Sequence, residues 1–366
     1  MIRFLDLPGQ YQSLRPEIDT AIQSVIETGA FIGGEGLKRF EQAFAEYQAV
    51  EHCVGVANGT DALEIAFEGL GLAPGSEVIV PANSFVASSE AVTRAGLKVV
   101  FADIGERTYL LDPADVERRI TDKTSAIVAV HLYGQPAPME ELIAIADRHG
   151  LKIIEDCAQA HGASIGGRTV GNFGSIGTFS FYPGKNLGAY GDAGAMVTND
   201  AALAKHCRMI ANHGRVEKYN HEFEGRNSRM DGLQAAVLSV KLTKLDDWID
   251  ARNAVARVYS RELEGVGDVV TPQVRPDVRH AYHLYVIRTS RRDALKKHLA
   301  DASIQSGIHY PIALPRLRAY ADHPQHEEAF VASEQAPTLL SLPIGEHMGE
   351  EDALQVVAAV RDFFRG

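Results

Sequence analysis

Between residues 50 and 200 the chain alternates short apolar runs with segments whose apolar residues recur at helical spacing. Six runs read as strands: Cys53–Ala57, Glu77–Val80, Lys98–Ala102, Ala126–Val130, Lys152–Glu155 and Ala195–Thr198. The intervening patterns are amphipathic. Asp61–Leu70 carries Ala62, Leu63, Ile65, Ala66 and Phe67 on one broad apolar face. Phe85–Ala95 and Met139–Arg148 follow, the latter with Leu142, Ile143, Ile145 and Ala146 at helical positions. Strand–helix–strand alternation predicts an α/β layered fold around a mostly parallel sheet, because parallel neighbours need a crossover and a helix supplies it.

Past Asp231 the texture changes. Gly232–Ala256 reads as one long helix or two, and Ala281–Arg288 alternates like a strand. A helix over Arg292–Ala300, a strand near Gly307–Tyr310 and a closing helix over Glu350–Phe364 complete the pattern. A chain of 366 residues exceeds the roughly 250–300 at which single cores stop growing. The expected division is a large domain over residues 1–245, its N-terminal segment able to pack on the smaller partner, and a small C-terminal α/β domain over 246–366. Val216–Arg229 is polar and aromatic without period, which suits a functional loop or an interface arm.

Composition narrows the class. Hydrophobic content of 45% and charged content of 23% are ordinary for a soluble globular protein. A formal net charge of −12 argues against a nucleic-acid surface, while a few local donors still suffice for an anionic small substrate. Cys53, Cys157 and Cys207 are too few and too scattered for a disulfide framework or a metal cluster, so they read as buried free thiols and no metal site is expected. The N-terminus shows no charged region followed by an apolar core, and no apolar run approaches the ~18 residues of a membrane span. These features predict a cytoplasmic enzyme with neither nucleic acid nor membrane as partner.

Four features carry candidate chemistry, each following its own strand. Asn58-Gly59-Thr60-Asp61 opens the first helix of the alternating region, where free amides and the helix dipole make an anion site. The same residues would also serve as a plain N-cap. Phe85 falls after strand Glu77–Val80, where an aromatic either lies flat on a ring or simply belongs to the core. Asp156 ends an apolar strand, the edge at which open α/β sheets gather their sites; a helix cap or surface acid is the plainer alternative. Lys185 stands alone in a glycine-rich stretch from Gly171 to Gly194, and a solvated loop lysine is its plainer alternative. The run Gly174–Phe181, with Pro183-Gly184 after it, fits neither a helix nor a simple hairpin. Gly188–Gly194 then leads into strand Ala195–Thr198, which pins Lys185 between buried strands. A desolvated lysine loses basicity and becomes a nucleophile. An amine of that kind, following a carboxylate able to keep a pyridine nitrogen protonated, suits pyridoxal phosphate.

Taken in order, these motifs carry a family resemblance. Asn58-Gly-Thr-Asp-Ala-Leu63, Glu155-Asp156-Cys-Ala-Gln159-Ala-His161-Gly-Ala163, Phe179-Ser180-Phe, Lys185 and Gly225-Arg-Asn227-Ser-Arg229-Met-Asp231 resemble the sugar aminotransferases of the DegT/DnrJ/EryC1/StrS group, which are fold-type I pyridoxal-phosphate enzymes. The likeness runs from Phe31-Ile-Gly-Gly through His309-Tyr-Pro311 to Ser341-Leu-Pro343. It implies a large domain with a mostly parallel sheet of the seven-stranded type and a smaller C-terminal α/β domain.

The resemblance also implies roles. Lys185 would form the Schiff base with the cofactor and move the proton, and Asp156 would pair with the ring nitrogen. Gln159, one helical turn on, would bond the ring's 3-oxygen, and Phe85 would stack on the ring. Thr60 and Ser180 would hold the phosphate with amides of the Gly59–Asp61 turn. Asn227 would reach the phosphate of the neighbouring subunit, making a homodimer part of the site. L-Glutamate would leave as 2-oxoglutarate, and the pyridoxamine form would aminate a ketosugar carried on a nucleoside diphosphate. Arg229, His309 and Tyr310 are the substrate-binding candidates, with Lys218, Tyr219, His221 and His283 further out.

Asn227-Ser-Arg229-Met-Asp231 resembles the 3-ketosugar members, whereas 4-ketosugar members more often carry an aromatic where Ser228 stands. Two departures are visible: Gly33-Gly34 stands where a more varied residue precedes the family glycine, and Ala193 stands where many relatives have glycine. A dehydrase subset of the family replaces the lysine with histidine, so Lys185 argues for transamination. The competing readings are a different fold-type I reaction on an amino acid, such as a lyase or desulfurase, and a non-catalytic regulator. A desulfurase would need a reactive cysteine on a mobile loop, and all three cysteines sit in apolar contexts. Retention of Asp156, Gln159 and Lys185 together speaks against the second.

Overall fold

The computed structural model describes residues 1–366. Seven strands form its main sheet: β1 (His52–Val56), β2 (Glu77–Pro81), β3 (Lys98–Ala102), β4 (Thr124–Val130), β5 (Lys152–Asp156), β6 (Ile176–Ser180) and β7 (Gly194–Thr198). Their spatial order is β1-β7-β6-β5-β4-β2-β3. Only β7 runs against its neighbours β1 and β6; the remaining pairs are parallel. β6 was not expected as a strand. Glycine hides it: a Cβ on Gly177 would stand 2.5 Å from the Gly171 Cα, so close packing forces glycine into an otherwise apolar run.

The central strands are covered on both faces, as parallel strands require. Val78, Val80, Val128 and Ile154 point into one core with Phe67, while Ile79, Ile127 and Ile153 point into another with Leu142. Each such side chain, removed fully from water, stabilises the fold by about 1.5–3 kcal/mol. A third aromatic layer joins β6 to helix Gly34–Tyr47, where Phe44 meets Phe179 and Phe181 edge-on at 5.0 and 5.2 Å. That helix, with Leu7–Ser13 and Arg15–Thr28 before it, lies in a region for which no element was expected.

Beyond Asp231 the long helical pattern resolves into two helices, Gly232–Leu242 and Leu245–Glu262. The next strands, β8 (Tyr285–Arg288) and β9 (Leu339–Leu342), pair antiparallel. Their core gathers Tyr259, Tyr285, Leu295, Leu340 and Val356. The strand expected near Gly307–Tyr310 does not form. Gly307 makes only an isolated bridge to Ser341, and Pro311 has no N–H with which to continue a ladder. Helix Ala87–Arg94 starts two residues later than the pattern suggested, and Val216–Arg229 opens in a short hairpin pairing Arg215–Glu217 with Asn220–His221. The chain's start returns to the C-terminal end of the molecule through a parallel bridge from Ile2 to Ile304. No helix is long and apolar enough to cross a membrane.

Candidate active site

β4, β5 and β6 end on a single cavity of about 590 Å³, with Val130, Asp156 and Ser180 on its wall. The other sequence-predicted residues that reach it are Gly59, Thr60, Phe85, Gln159, Lys185 and Tyr310, together with His283 and His309. Five candidates lie elsewhere. Lys218, Tyr219 and His221 project on the exposed hairpin, where Tyr219 is 85% accessible. Asn227 is exposed and accepts a hydrogen bond from the Arg229 guanidinium at 2.7 Å. Arg229 faces a separate cleft with Gly33, Gly34 and Arg215.

The turn after β1 satisfies both readings of its sequence. Asn58 caps helix Gly59–Gly69, its Oδ1 accepting from the Asp61 amide at 2.8 Å. That amide is therefore occupied, a correction to its assignment as an anion donor, whereas Gly59 and Thr60 face the cavity. Gly59 is required by packing, because a Cβ there would fall 2.6 Å from the Ser180 Cβ. Helix N-terminus and Ser180 hydroxyl thus approach as one small cradle, the arrangement that favours an anion.

Asp156 is buried at the end of β5. Its Oδ2 accepts from the Ser88 hydroxyl at 2.7 Å and its Oδ1 from the Ala158 amide at 3.1 Å. The residues after it form turns, not a helix, which corrects the helical spacing expected for Gln159. Gln159 is nevertheless held firmly, its Oε1 accepting from the Tyr133 amide at 2.7 Å and its Nε2 donating to the Tyr310 hydroxyl at 2.9 Å. Phe85 is 52% exposed, an unusual state for a phenylalanine beside a core, and its ring lies 5.8 Å from that of Tyr310.

Lys185 sits in a turn whose amide donates to the Tyr182 carbonyl at 2.8 Å. Neighbouring Asn186 anchors the loop by donating to the Ala281 carbonyl at 2.8 Å, and the buried Lys241 ammonium donates to the Gly188 carbonyl at 2.7 Å. The Lys185 side chain borders the open cavity and keeps some accessible surface, yet protein surrounds it closely. Burial lowers its pKa to about 8, against an opposing pull from the Asp156 carboxylate. Nearby imidazoles stay neutral. Burial, reinforced by the Lys185 charge, holds His309 down at about 4 and His161 at about 3.

The buried trio His131, Glu155 and Cys157 brings its ligand-type atoms within 4.8 Å of one another. Its hydrogen bonds explain that closeness structurally. Glu155 accepts from the amides of Gly171, Phe173 and Gly174 at 2.6–2.7 Å and pairs with the His131 imidazole at 3.0 Å. Glu155, backed by His131, therefore fixes the turn leading into β6. Sequence reasoning missed Ser88, which the serine pair at Ser84 and Ser88 one helical turn apart could have signalled. It also missed Phe4 and Leu5, two cavity-lining residues with no motif to mark them.

The arrangement can hold a flat anionic ring bearing an aldehyde, with an amine, a carboxylate, an aromatic plate and an anion cradle in one cavity. Comparison with known proteins agrees. The profile of the DegT/DnrJ/EryC1/StrS aminotransferase family matches residues 12–361. The dTDP-3-amino-3,4,6-trideoxy-alpha-D-glucose transaminase of Streptomyces venezuelae is 46% identical over 363 residues, covering 99% of this chain and 96% of that protein. The crystal structure of S. venezuelae DesV in complex with a ketimine intermediate superposes with a TM-score of 0.97 at 45% identity, over 100% of this chain and 99% of that one. NtdA of Bacillus subtilis, solved with bound cofactor PMP, gives 0.92 at 32% identity, over 100% and 85% of the two chains. The chain belongs to the DegT/DnrJ/EryC1/StrS aminotransferase family.

Proposed function

We propose that the protein moves the amino group of L-glutamate onto a nucleoside-diphosphate-linked 3-ketosugar in amino-sugar biosynthesis, using pyridoxal phosphate. The observation that carries this is Lys185, an amine of lowered basicity in one cavity with Asp156 and the Gly59–Ser180 cradle. The residues fit the cofactor: Lys185 for its aldehyde, Asp156 for its ring nitrogen, Gln159 for its 3-oxygen. Phe85 suits its ring face, and Thr60 and Ser180 its phosphate. When bound, the cofactor supplies an aldehyde carbon and an electron-accepting ring.

The chain's own part is proton handling and placement. Lys185, neutral in part at physiological pH, would take a proton from the donor's α-carbon and return it two atoms away, on the far side of the transferred nitrogen. Asp156, fixed by Ser88 and Ala158, supplies a negative charge in fixed orientation. His309 and Tyr310 face the acceptor. Amination at C3 rather than C4 is favoured by the 3-amino product named for the S. venezuelae transaminase and by Ser228, buried and accepting from the Ala57 amide at 3.3 Å. The nucleotide is thymidine or uridine diphosphate.

Asn227, with Arg229, is read as serving the neighbouring subunit's cavity in a homodimer. Support comes from the exposed Phe31 and Ile32, which lie beside this segment through the Ile32–Asp231 bridge and the bond from the Gly232 amide to the Phe31 carbonyl. Asn227→Ala should weaken cofactor retention about tenfold while leaving stability within about 0.5 kcal/mol, since the side chain is exposed. Equilibrium dialysis and a urea titration read the two quantities; unchanged retention would count against the shared site. The division into a cofactor-binding domain, 1–245, and a small domain, 246–366, is supported by the break between helices Gly232–Leu242 and Leu245–Glu262 and by the core on one face of β8 and β9, whose other face, with Val286 and Leu339, packs on the large domain.

The function is tested by light absorption. The purified holoprotein should be yellow, bleach with L-glutamate alone, and recover its colour when a nucleotide-linked 3-ketosugar is added. Bleaching without recovery on any ketosugar sinks the acceptor, and no response to glutamate sinks the donor.

A further inference from the structure

The first six residues form a strap along the cavity, tied down at both of its ends. At one end the Ile2 amide donates to the Ser303 carbonyl at 2.9 Å, and Ile2 accepts from the Gln305 amide at 3.0 Å. The Phe4 amide donates to the Gln305 side chain at 2.9 Å, and His347 bonds the Arg3 carbonyl at 3.0 Å. At the other end Asp6 caps helix Leu7–Ser13, and Gln10 donates to Glu346 at 2.6 Å. Between these anchors only Phe4 and Leu5 line the cavity.

Both stand at its reacting end. Phe4 stacks on His309, with ring centroids 5.7 Å apart and planes 19° from parallel. Leu5 packs on the residue before Lys185: a Cβ at Gly184 would lie 3.3 Å from the Leu5 Cδ1. The strap's charged side chains, Arg3 and Asp6, bond each other rather than the cavity. A substrate hydroxyl turned toward Phe4 and Leu5 would therefore lose water without gaining a side-chain partner, whereas C–H groups would pack there.

We propose that this strap selects the acceptor: Phe4 and Leu5 form an apolar wall that favours a ketohexose deoxygenated on the carbons turned toward it. The inference rests on the sugar-acceptor reading above, because the group beside Lys185 is then the hexose ring. The nucleotide must extend away from the strap.

Three 3-ketohexoses on one nucleotide supply the test: the 4,6-dideoxy sugar, the 6-deoxy sugar and the fully hydroxylated one. Holoenzyme charged by glutamate should lose kcat/KM on the order of 10- to 100-fold across the series, the range an apolar pocket achieves against an added hydroxyl. Phe4→Ser and Leu5→Ser should each compress that ratio to within about threefold, chiefly through KM for the sugars, whatever each does to the glutamate half-reaction. Leu5→Ser stands in should Phe4→Ser loosen the fold, and Phe4→Leu and Leu5→Met should restore the ratio. A merely structural strap would change both half-reactions together and leave the ratio alone. Calorimetric binding of the matching nucleotide amino sugars should show the same discrimination and its loss. An undiminished ratio in both serine variants, or a wild-type preference for the hydroxylated sugar, overturns the proposal. Wild-type inertness to all three sugars with an intact glutamate reaction overturns the acceptor reading itself, a result distinct from the other two.

Discussion

Lys185→Ala lowers the rate of amino transfer by about 10⁴-fold, the upper range for loss of a positioned proton carrier. The side chain would be lost both as the attachment point for the cofactor and as the group that moves the proton. Single-turnover absorbance after glutamate addition measures this directly. A fall of less than tenfold would show that some other group carries the proton. The same residue predicts a pH dependence whose sign follows from its surroundings. Burial lowers the Lys185 pKa to about 8, with Asp156 pulling the other way. Below that pH the amine is protonated and cannot attack an aldehyde; above it the neutral nucleophile prevails. Cofactor uptake by protein stripped of it should therefore accelerate as pH rises through about 8 and then level off. A solvated lysine would keep accelerating toward its ordinary value near ~10.4.

Asp156→Asn should cost about two to three orders of magnitude in the glutamate half-reaction, the scale for removing one preorganised electrostatic group. The substitution keeps an oxygen for the Ser88 hydroxyl, so the change is one of charge more than shape. A second readout isolates that charge. Asp156 is the group that raises the Lys185 pKa against the effect of burial. Its neutralisation should move the midpoint of the cofactor-uptake profile to lower pH. An unchanged half-reaction would remove Asp156 from its role, while a slowed reaction with an unmoved profile would uncouple the two residues.

Local pattern made much of the large sheet legible. β2, β3 and β4 are apolar runs of five to seven residues bounded by polar positions, and such runs identify buried strands because both faces must be dry. β6 escaped this logic. Its glycine at 177 answers to the Gly171 backbone, a contact between chain segments that no local pattern contains. The strand expected near Gly307–Tyr310 failed for the converse reason: β9, more than thirty residues downstream of that segment's start, takes the place beside β8. Which segment pairs with which is decided by packing, and alternation alone cannot choose.

The site divides in the same way. Gly59, Asp156, Ser180 and Lys185 each follow or end a strand, so once the strands are placed in a parallel sheet their convergence at one edge follows from topology. Asn227 and Arg229 belong to the same ordered set of motifs but not to the same cavity, since Asn227 is exposed and Arg229 faces a separate cleft beside Ile32. Phe4 and Leu5 are the opposite case, anonymous in sequence and present in the cavity.

By itself the sequence determined the layered α/β class, the family, and the residues that meet at the strand ends, because spacing and residue type record local geometry and chemistry. Only the tertiary structure decided how these groups act on one another. It lowered the basicity of Lys185 by surrounding it, oriented Asp156 through a serine on another element, and brought the first residues of the chain to the wall of the site. Burial and contact across distant segments are properties of the folded whole, and no window of sequence contains them.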